Sequence, residues 1–278
     1  MAARRKATAT TAGILDPEEF ARHVDLARLP CAPEVSPWVE NYWVLRWSLP
    51  PGTAYRSSVL PHPACTLSVE RGDTRPEIRA DPVVVTGVIR DRFDVDTRGA
   101  GWTLGIKFRP GGFAAYAGAD AAAVTGRVVP ARTLVPNDLA DALATLDAAV
   151  PDDAALAVAD SALAAHVPEA DPAYDLVLTI VADLLADRDL LRVEQVERRH
   201  GIGARRLQRL FSRYVGVSPK WVIARFRMHD AVTELDQGYA GPLADLAARH
   251  GWYDQAHFAR DFAALTGCAP SAYRARQG

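Results

Sequence analysis

Arg205, Gln208, Arg209 and Ser212 recur at i, i+3, i+4 and i+7, a spacing that puts four polar side chains on one face of a helix. Arginine can donate two parallel hydrogen bonds to guanine O6 and N7, and glutamine can do the same to adenine N6 and N7. Each such pair discriminates between bases by roughly 1–3 kcal/mol. The chemistry on offer is therefore the reading of base edges, with Arg206 as an additional cation alongside. The segment Arg192–His229 carries 10 Lys/Arg against 2 Asp/Glu, a local net charge of +8 in a chain whose net charge is −2. A block of this kind is an electrostatic footprint for phosphate. A merely solubilising helical face would contain the same residue types, so charge alone does not separate the two readings.

The elements around these residues make the separation. Leu207, Phe211 and Tyr214 occupy the opposite face at i, i+4 and i+7, so a helix from about Ala204 to Val215 has an apolar side to bury. A shorter helix precedes it, with Val193, Val196 and His200 on one face. Gly201 follows, where a left-handed C-cap costs glycine little. Gly216 closes the second helix. Ser218 is a suitable N-cap, with Pro219 in first position, for a long helix reaching about Asp236. Phe226 and Leu235 of that helix read as core, and Arg225 and Arg227 as partly exposed. Helix, tight glycine turn, helix is a helix-turn-helix.

The unit occurs twice. Leu207, Arg209, Phe211, Gly216 and Pro219 align with Phe258, Arg260, Phe262, Gly267 and Pro270 at a constant offset of 51, whereas His200-Gly201 aligns with His250-Gly251 at 50. One turn is thus a residue longer than the other. In the second unit the outward positions are Ala256, Ala259, Arg260 and Ala263, flanked by Gln255 and His257. Three alanines offer few hydrogen bonds, so the first unit is expected to specify sequence and the second mainly to position. Two recognition helices on a stiff joint can enter successive major-groove segments about one helical turn apart.

Residues 38–109 have a different texture. Trp38–Trp47, Tyr55–Leu60, Thr66–Glu70, Val83–Ile89, Phe93–Asp96 and Trp102–Phe108 read as short strands, rich in β-branched and aromatic residues. Pro50–Gly52, Arg71-Gly72-Asp73 and Arg98–Gly101 read as turns. No long helical pattern intervenes, which predicts an antiparallel barrel or sandwich. Helices are expected near Asn137–Ala149 and Asp152–Val167, capped by Asn137 and Asp152, with Val167–Pro172 as linker. The fold class is α+β. The predicted division is a tail at 1–15, basic at Arg4, Arg5 and Lys6; a β-rich domain at 16–136; a helical linker at 137–172; and an all-α domain with two helix-turn-helix units at 173–278.

Leu207–Val222 and His250–Arg274 resemble the DNA-binding domain of AraC/XylS-type bacterial transcription regulators. The resemblance covers about the last 105 residues and rests on Gly251, Trp252, Asp254-Gln255, His257-Phe258, Arg260, Phe262, Gly267, Pro270 and Tyr273. It implies base contacts from Arg205, Gln208 and Arg209, then Gln255, Ala256 and Arg260. The chain departs from the family at Val196-Glu197, His200, Gly203 and Ala269. Leu60–Glu70 and Gly105–Gly118 more loosely resemble a β-rich domain found ahead of such regulators, with His62 where an acidic residue is usual. That likeness implies sensing or oligomerisation. The implied partners are double-stranded DNA, an unidentified small-molecule effector, a second subunit and RNA polymerase, in a cytoplasmic protein of the bacterial cell.

Trp43, Tyr55, His62, Lys107 and Arg109 are the candidate effector-binding residues. The tryptophans at 38, 43, 47 and 102 suit either an apolar pocket or plain core, and Lys107 with Arg109 beside the Pro110–Gly112 turn suits either an anion or solvent. No catalytic residue, cofactor or metal site is expected: Cys31, Cys65 and Cys268 lack metal-ligand spacing and read as reduced thiols. No apolar run is long enough for a membrane span or a secretory signal. Two rivals stay open. One is an enzyme or DNA-repair protein with His62 or Cys65, the latter as a methyl acceptor, in a catalytic N-terminal domain. The other is a constitutive DNA-binding protein whose N-terminal domain only assembles it.

Overall fold

The computed structural model describes residues 13–73 and 81–277. The basic stretch Arg4–Lys6 and the rest of the expected tail up to residue 12 lie outside the described residues. Gly13–Leu15 are tied to the domain: the Leu15 amide donates to the Ser58 carbonyl at 3.0 Å and the Leu60 amide to that of Gly13 at 2.7 Å.

The N-terminal domain opens with α1 (Pro17–His23), capped by Asp16. Seven strands follow: β1 (Val24–Leu29), β2 (Val39–Ser48), β3 (Ala54–Val59), β4 (Thr66–Asp73), β5 (Val83–Thr86), β6 (Phe93–Phe108) and β7 (Val128–Pro130). All pair antiparallel in the order β1-β2-β6-β4-β5-β7, with β3 added to β6. The expected barrel or sandwich is instead one sheet; among the described residues its outer strands β1 and β7 do not pair.

Strand β6 explains the difference. The two strands expected at Phe93–Asp96 and Trp102–Phe108 are one strand of 16 residues. Its first half pairs β3 and its second half pairs β2 and β4, so Arg98–Gly101 is where partners change and not a turn. Arg71-Gly72-Asp73 is likewise strand and not turn. Arg71 donates to the carbonyls of Ala144 and Leu146, and a Cβ on Gly72 would stand 2.4 Å from the Ala100 oxygen.

Because successive side chains point to opposite faces, each strand sorts its residues. Tyr42, Val44, Leu67, Val69, Leu104 and Ile106 are buried in a core shared with the helices. These are α2 (Gly112–Ala117), α3 (Asn137–Ala144), α4 (Asp152–Ala164) and α5 (Pro172–Ala186). The Tyr42 hydroxyl donates to Asp160 on α4 at 2.5 Å, and Arg46 pairs with Asp152. Asn137 and Asp152 are first helical residues rather than caps: Pro136 and Pro151 take the cap positions, and no side-chain cap bond forms. Helix α3 ends early because the Asp147 carboxylate takes the Ala149 amide and closes a turn.

The C-terminal helices are α6 (Val193–His200), α7 (Ala204–Leu210), α8 (Pro219–Asp236), α9 (Leu243–Arg249), α10 (Gln255–Thr266) and α11 (Pro270–Gln277). Helix α7 runs into a π turn at Phe211–Val215. The Gly216 amide therefore donates to both Phe211 and Ser212 carbonyls, whereas the equivalent Gly267 amide donates to Ala263 alone. Leu207 and Phe211 join the core of the sheet, while Leu15 and Leu60 join the core of the second unit. The N-terminal domain thus meets both units, and it touches both recognition helices at equivalent C-cap glycines. A Cβ on Gly216 would stand 2.4 Å from the Thr125 hydroxyl; one on Gly267 would stand 2.0 Å from an Arg92 guanidinium nitrogen.

Gly201 and Gly216 both have left-handed φ, +62° and +85°, where an L side chain costs roughly 1–2 kcal/mol. Among the described residues nothing lies within 4 Å of a Cβ on Gly201. Gly216→Ala should therefore lower the melting temperature at least twice as much as Gly201→Ala. Equal losses in thermal unfolding would contradict this tight seating of Gly216 against Thr125.

Candidate nucleic-acid interface and effector cavity

The first recognition helix carries Arg205, Arg206, Gln208 and Arg209 exposed, and among the described residues no side-chain hydrogen bond or ion pair engages them. Its N-cap is Gly203, which supplies no side-chain acceptor. In the second unit Asp254 caps α10 by accepting the His257 amide at 2.7 Å. Gln255, Ala256, His257 and Arg260 are exposed, and Ala259 and Ala263 half-buried. His257 turns along its own helix to Asp261, 3.2 Å away. Of the positions that the spacing placed outward, Arg205, Gln208, Arg209, Ala256 and Arg260 are exposed, whereas Ser212, Ala259 and Ala263 are half-buried.

Helix α8 joins the units and is pinned to the N-terminal domain. Arg225, expected to be partly exposed, is buried: it stacks over Trp221 and donates to the Arg90 carbonyl at 2.5 Å. Burial lowers its pKa to about 10, with Asp91 opposing. Arg227 covers the Trp252 ring and donates to the His250 carbonyl. His229 bonds the Pro61 carbonyl at 3.0 Å, and its ring lies 4.1 Å from that of His62. Sequence reasoning missed Arg90, Arg92 and Thr125 as partners of these helices; no periodicity marks a loop residue for such a contact.

The other face of the sheet lines a cavity of about 260 Å³. Leu26 and Arg28 of β1, Asn41, Trp43, Leu45 and Trp47 of β2, and Phe93, Val95, Thr103 and Lys107 of β6 contribute, every second residue of each strand. Trp43 and Trp47 lie across Gly105 and Gly101, their register partners; a Cβ at either glycine would stand 2.0 Å or less from the ring. Leu60, Pro61 and His62 close one end, and Glu70 also reaches the lining.

Of the five candidate effector residues, the structure gathers Trp43, His62 and Lys107 at this cavity. Tyr55 stands outside the lining, stacked on His23 at 4.5 Å, and burial pushes its phenol up to about 12. Arg109 also stands outside and donates to the Ser36 carbonyl at 2.8 Å. Lys107 instead pairs with Glu40 at 2.9 Å, so the two cations do not converge. The glycine turn beside them is filled: a Cβ on Gly112 would stand 2.3 Å from the Trp38 oxygen. Of the four tryptophans that suited either a pocket or plain core, Trp43 and Trp47 line the cavity and Trp38 and Trp102 do not; Arg28 and Phe93 are cavity residues that sequence reasoning passed over. Cys65 is buried, and burial pushes its thiol up to about 12, away from the thiolate a nucleophile needs. Among the described residues no cluster of three His, Cys, Asp or Glu could hold a metal ion, and no helix is long and apolar enough to cross a membrane.

Residues 196–276 match the model of a helix-turn-helix domain, and residues 27–130 that of a domain of unknown function. No curated protein matches the chain. Among solved structures, ToxT from Vibrio cholerae O395 is similar at 12% identity and a TM-score of 0.40, covering 83% of this chain and 95% of its own. ToxT from Vibrio cholerae strain SCE256 with bound unsaturated fatty acid follows at 10% and 0.34, covering 91% and 93%. The AraC-like transcriptional activator CuxR stands at 15% and 0.24, covering 83% and 96%. The chain is an α+β protein that ends in a helix-turn-helix domain.

The two adjacent histidines, His62 and His229, give this interface a pH dependence. Burial lowers His62 well below its usual value, with His229, Lys107, Arg28 and Arg225 adding to the effect. Burial lowers His229 to about 4, against the Pro61 carbonyl and with Arg225 and Lys107 reinforcing it. An unfolded histidine titrates near 6.5. Between about pH 6.5 and 4 the unfolded chain binds more protons, so stability falls as pH is lowered through that window. The melting temperature should drop from pH 7.5 to pH 5, and His229→Gln should flatten the slope. An unchanged slope in that variant would contradict the assignment.

Proposed function

From a chain that ends in a helix-turn-helix domain, we propose a sequence-specific transcription regulator controlled by a small apolar effector in the N-terminal domain. The observation that carries the DNA half is the exposed set Arg205, Gln208 and Arg209 on a recognition helix whose unit is repeated. These side chains match guanine and adenine edges in type and spacing. The second unit, on the same stiff α8, adds Arg260 and Gln255.

The effector half rests on the cavity. Its walls are mainly aromatic and aliphatic, with a few polar groups converging, the usual makeup of a small-molecule site. Arg28, Lys107 and His62 favour an effector that is apolar along its length and carries a polar or acidic end. Leu60, Pro61 and His62 line the cavity, and these same residues touch α8 through its core cluster and His229. An occupant that moves this segment changes how α8 and its two units are held. The rival enzyme reading finds no such support, since Cys65 is buried and held as a thiol.

Arg209→Ala should weaken binding to the preferred duplex at least tenfold in a fluorescence-anisotropy titration while leaving the melting temperature unchanged. Unchanged affinity would remove Arg209 from the reading face. In the same preparation, apolar acids that fit the cavity should raise the melting temperature, because a ligand of the folded state stabilises it. If none does, the N-terminal domain is an assembly module and the regulator is constitutive.

A further inference from the structure

The two helix-turn-helix units differ by one residue, and the structure locates it. Ile202 and Trp252 are equivalent, each buried just after its glycine, at 7% and 6% exposure. Gly203 and Asp254 are equivalent as N-caps of α7 and α10. Between them the first unit has nothing and the second has Tyr253. That extra residue is 92% exposed, far more than Leu185 at 61% or Val167 at 43%, the other exposed large apolar residues among those described. No packing accounts for it.

Its position is informative. Tyr253 stands immediately before the N-cap of the second recognition helix, the end from which such helices reach base edges. Ala256, one turn further on, is exposed, and Ala259 and Ala263 continue the same face. Arg205, Gln208 and Ser212 hold the matching places in the first unit. The second unit has thus exchanged hydrogen-bonding groups for a methyl face and added a ring beside it. The thymine C5-methyl is the apolar feature of the major groove, and alanine and aromatic side chains are among its partners.

We infer that Tyr253 and Ala256 read thymine methyl groups in the second half-site, so that the two units recognise DNA by different chemistry: hydrogen bonds in the first, and apolar contact beside those of Gln255 and Arg260 in the second. This rests on the DNA-binding reading above. It makes Tyr253 a specificity-determining residue that acts through its ring and not its hydroxyl.

The test uses the full chain and the best duplex selected from a randomised pool. Thymines in the second half-site are replaced one at a time by uracil, which lacks only the methyl. At least one replacement should weaken binding about fourfold, the worth of one buried carbon. Tyr253→Ala should weaken binding to the thymine duplex by a similar factor and abolish the uracil effect at the position it faces. Tyr253→Phe should bind as the unaltered protein does. Three results would each overturn the inference: a second half-site without thymine, indifference to every uracil, or full affinity in Tyr253→Ala. The last would point to a protein partner for the exposed ring. If Tyr253→Phe fails as Tyr253→Ala does, the contact is a hydroxyl to phosphate and carries no thymine preference. A selection that yields no preferred sequence at all would instead defeat the underlying DNA-binding reading.

Discussion

The arrangement depends on one constraint: both recognition helices end in left-handed glycines that are seated against the N-terminal domain. Gly216 fits beneath Thr125, whose hydroxyl donates to its carbonyl at 2.8 Å, and Gly267 fits beneath Arg92. Helix α8 between them is held by Arg225 and His229, each bonded to a backbone carbonyl of that domain. Two units that could pivot are thereby held at one separation. The hold is not free of cost. Arg225 is buried with Nε and Nη1 lacking a hydrogen-bond partner among the described residues, and such groups typically destabilise by about 1–3 kcal/mol each. An interface built on a costly cation and two neutral histidines is one that a modest perturbation can loosen.

The sheet connects this interface to the cavity. Alternation assigns Tyr42, Val44, Leu104 and Ile106 to the helical core and Asn41, Trp43, Thr103 and Lys107 to the opposite, cavity-lining face. Gly101 and Gly105 let the tryptophan rings lie flat on the sheet, so the cavity has an apolar floor. Its end wall, Leu60–His62, is at the same time the surface on which α8 rests. The cavity and the seat of α8 therefore share three residues.

Much of the C-terminal half was legible because it is local. Ser218, Gly201, Gly216 and Gly267 are caps whose chemistry acts within a few residues, and the apolar spacing of Leu207, Phe211, Phe258 and Phe262 fixes which face is buried. The repeat made each unit a check on the other. What could not be read depends on distant partners. Arg225 looks exposed on a helical wheel and is buried only because Arg90 comes to meet it. Arg98–Gly101 has the composition of a turn but continues β6, since β3 and β4 supply its hydrogen bonds. The π turn at Phe211–Val215 lies where that helix meets the N-terminal domain, and Phe262 in the equivalent place stays α-helical. Tyr55 and Arg109 are of the right type for a pocket, yet His23 and the Ser36 carbonyl hold them elsewhere.

The most direct measurement is the spacing of the DNA that the full chain selects from a randomised duplex pool, followed by a salt titration on the winner. Two recognition helices held at one separation predict two unequal half-sites at a single spacing of about one helical turn, bound far more tightly than random DNA. Half-sites at variable spacing, or uniform binding that falls steeply with salt and shows no motif, would contradict it; the latter is the signature of phosphate contact alone.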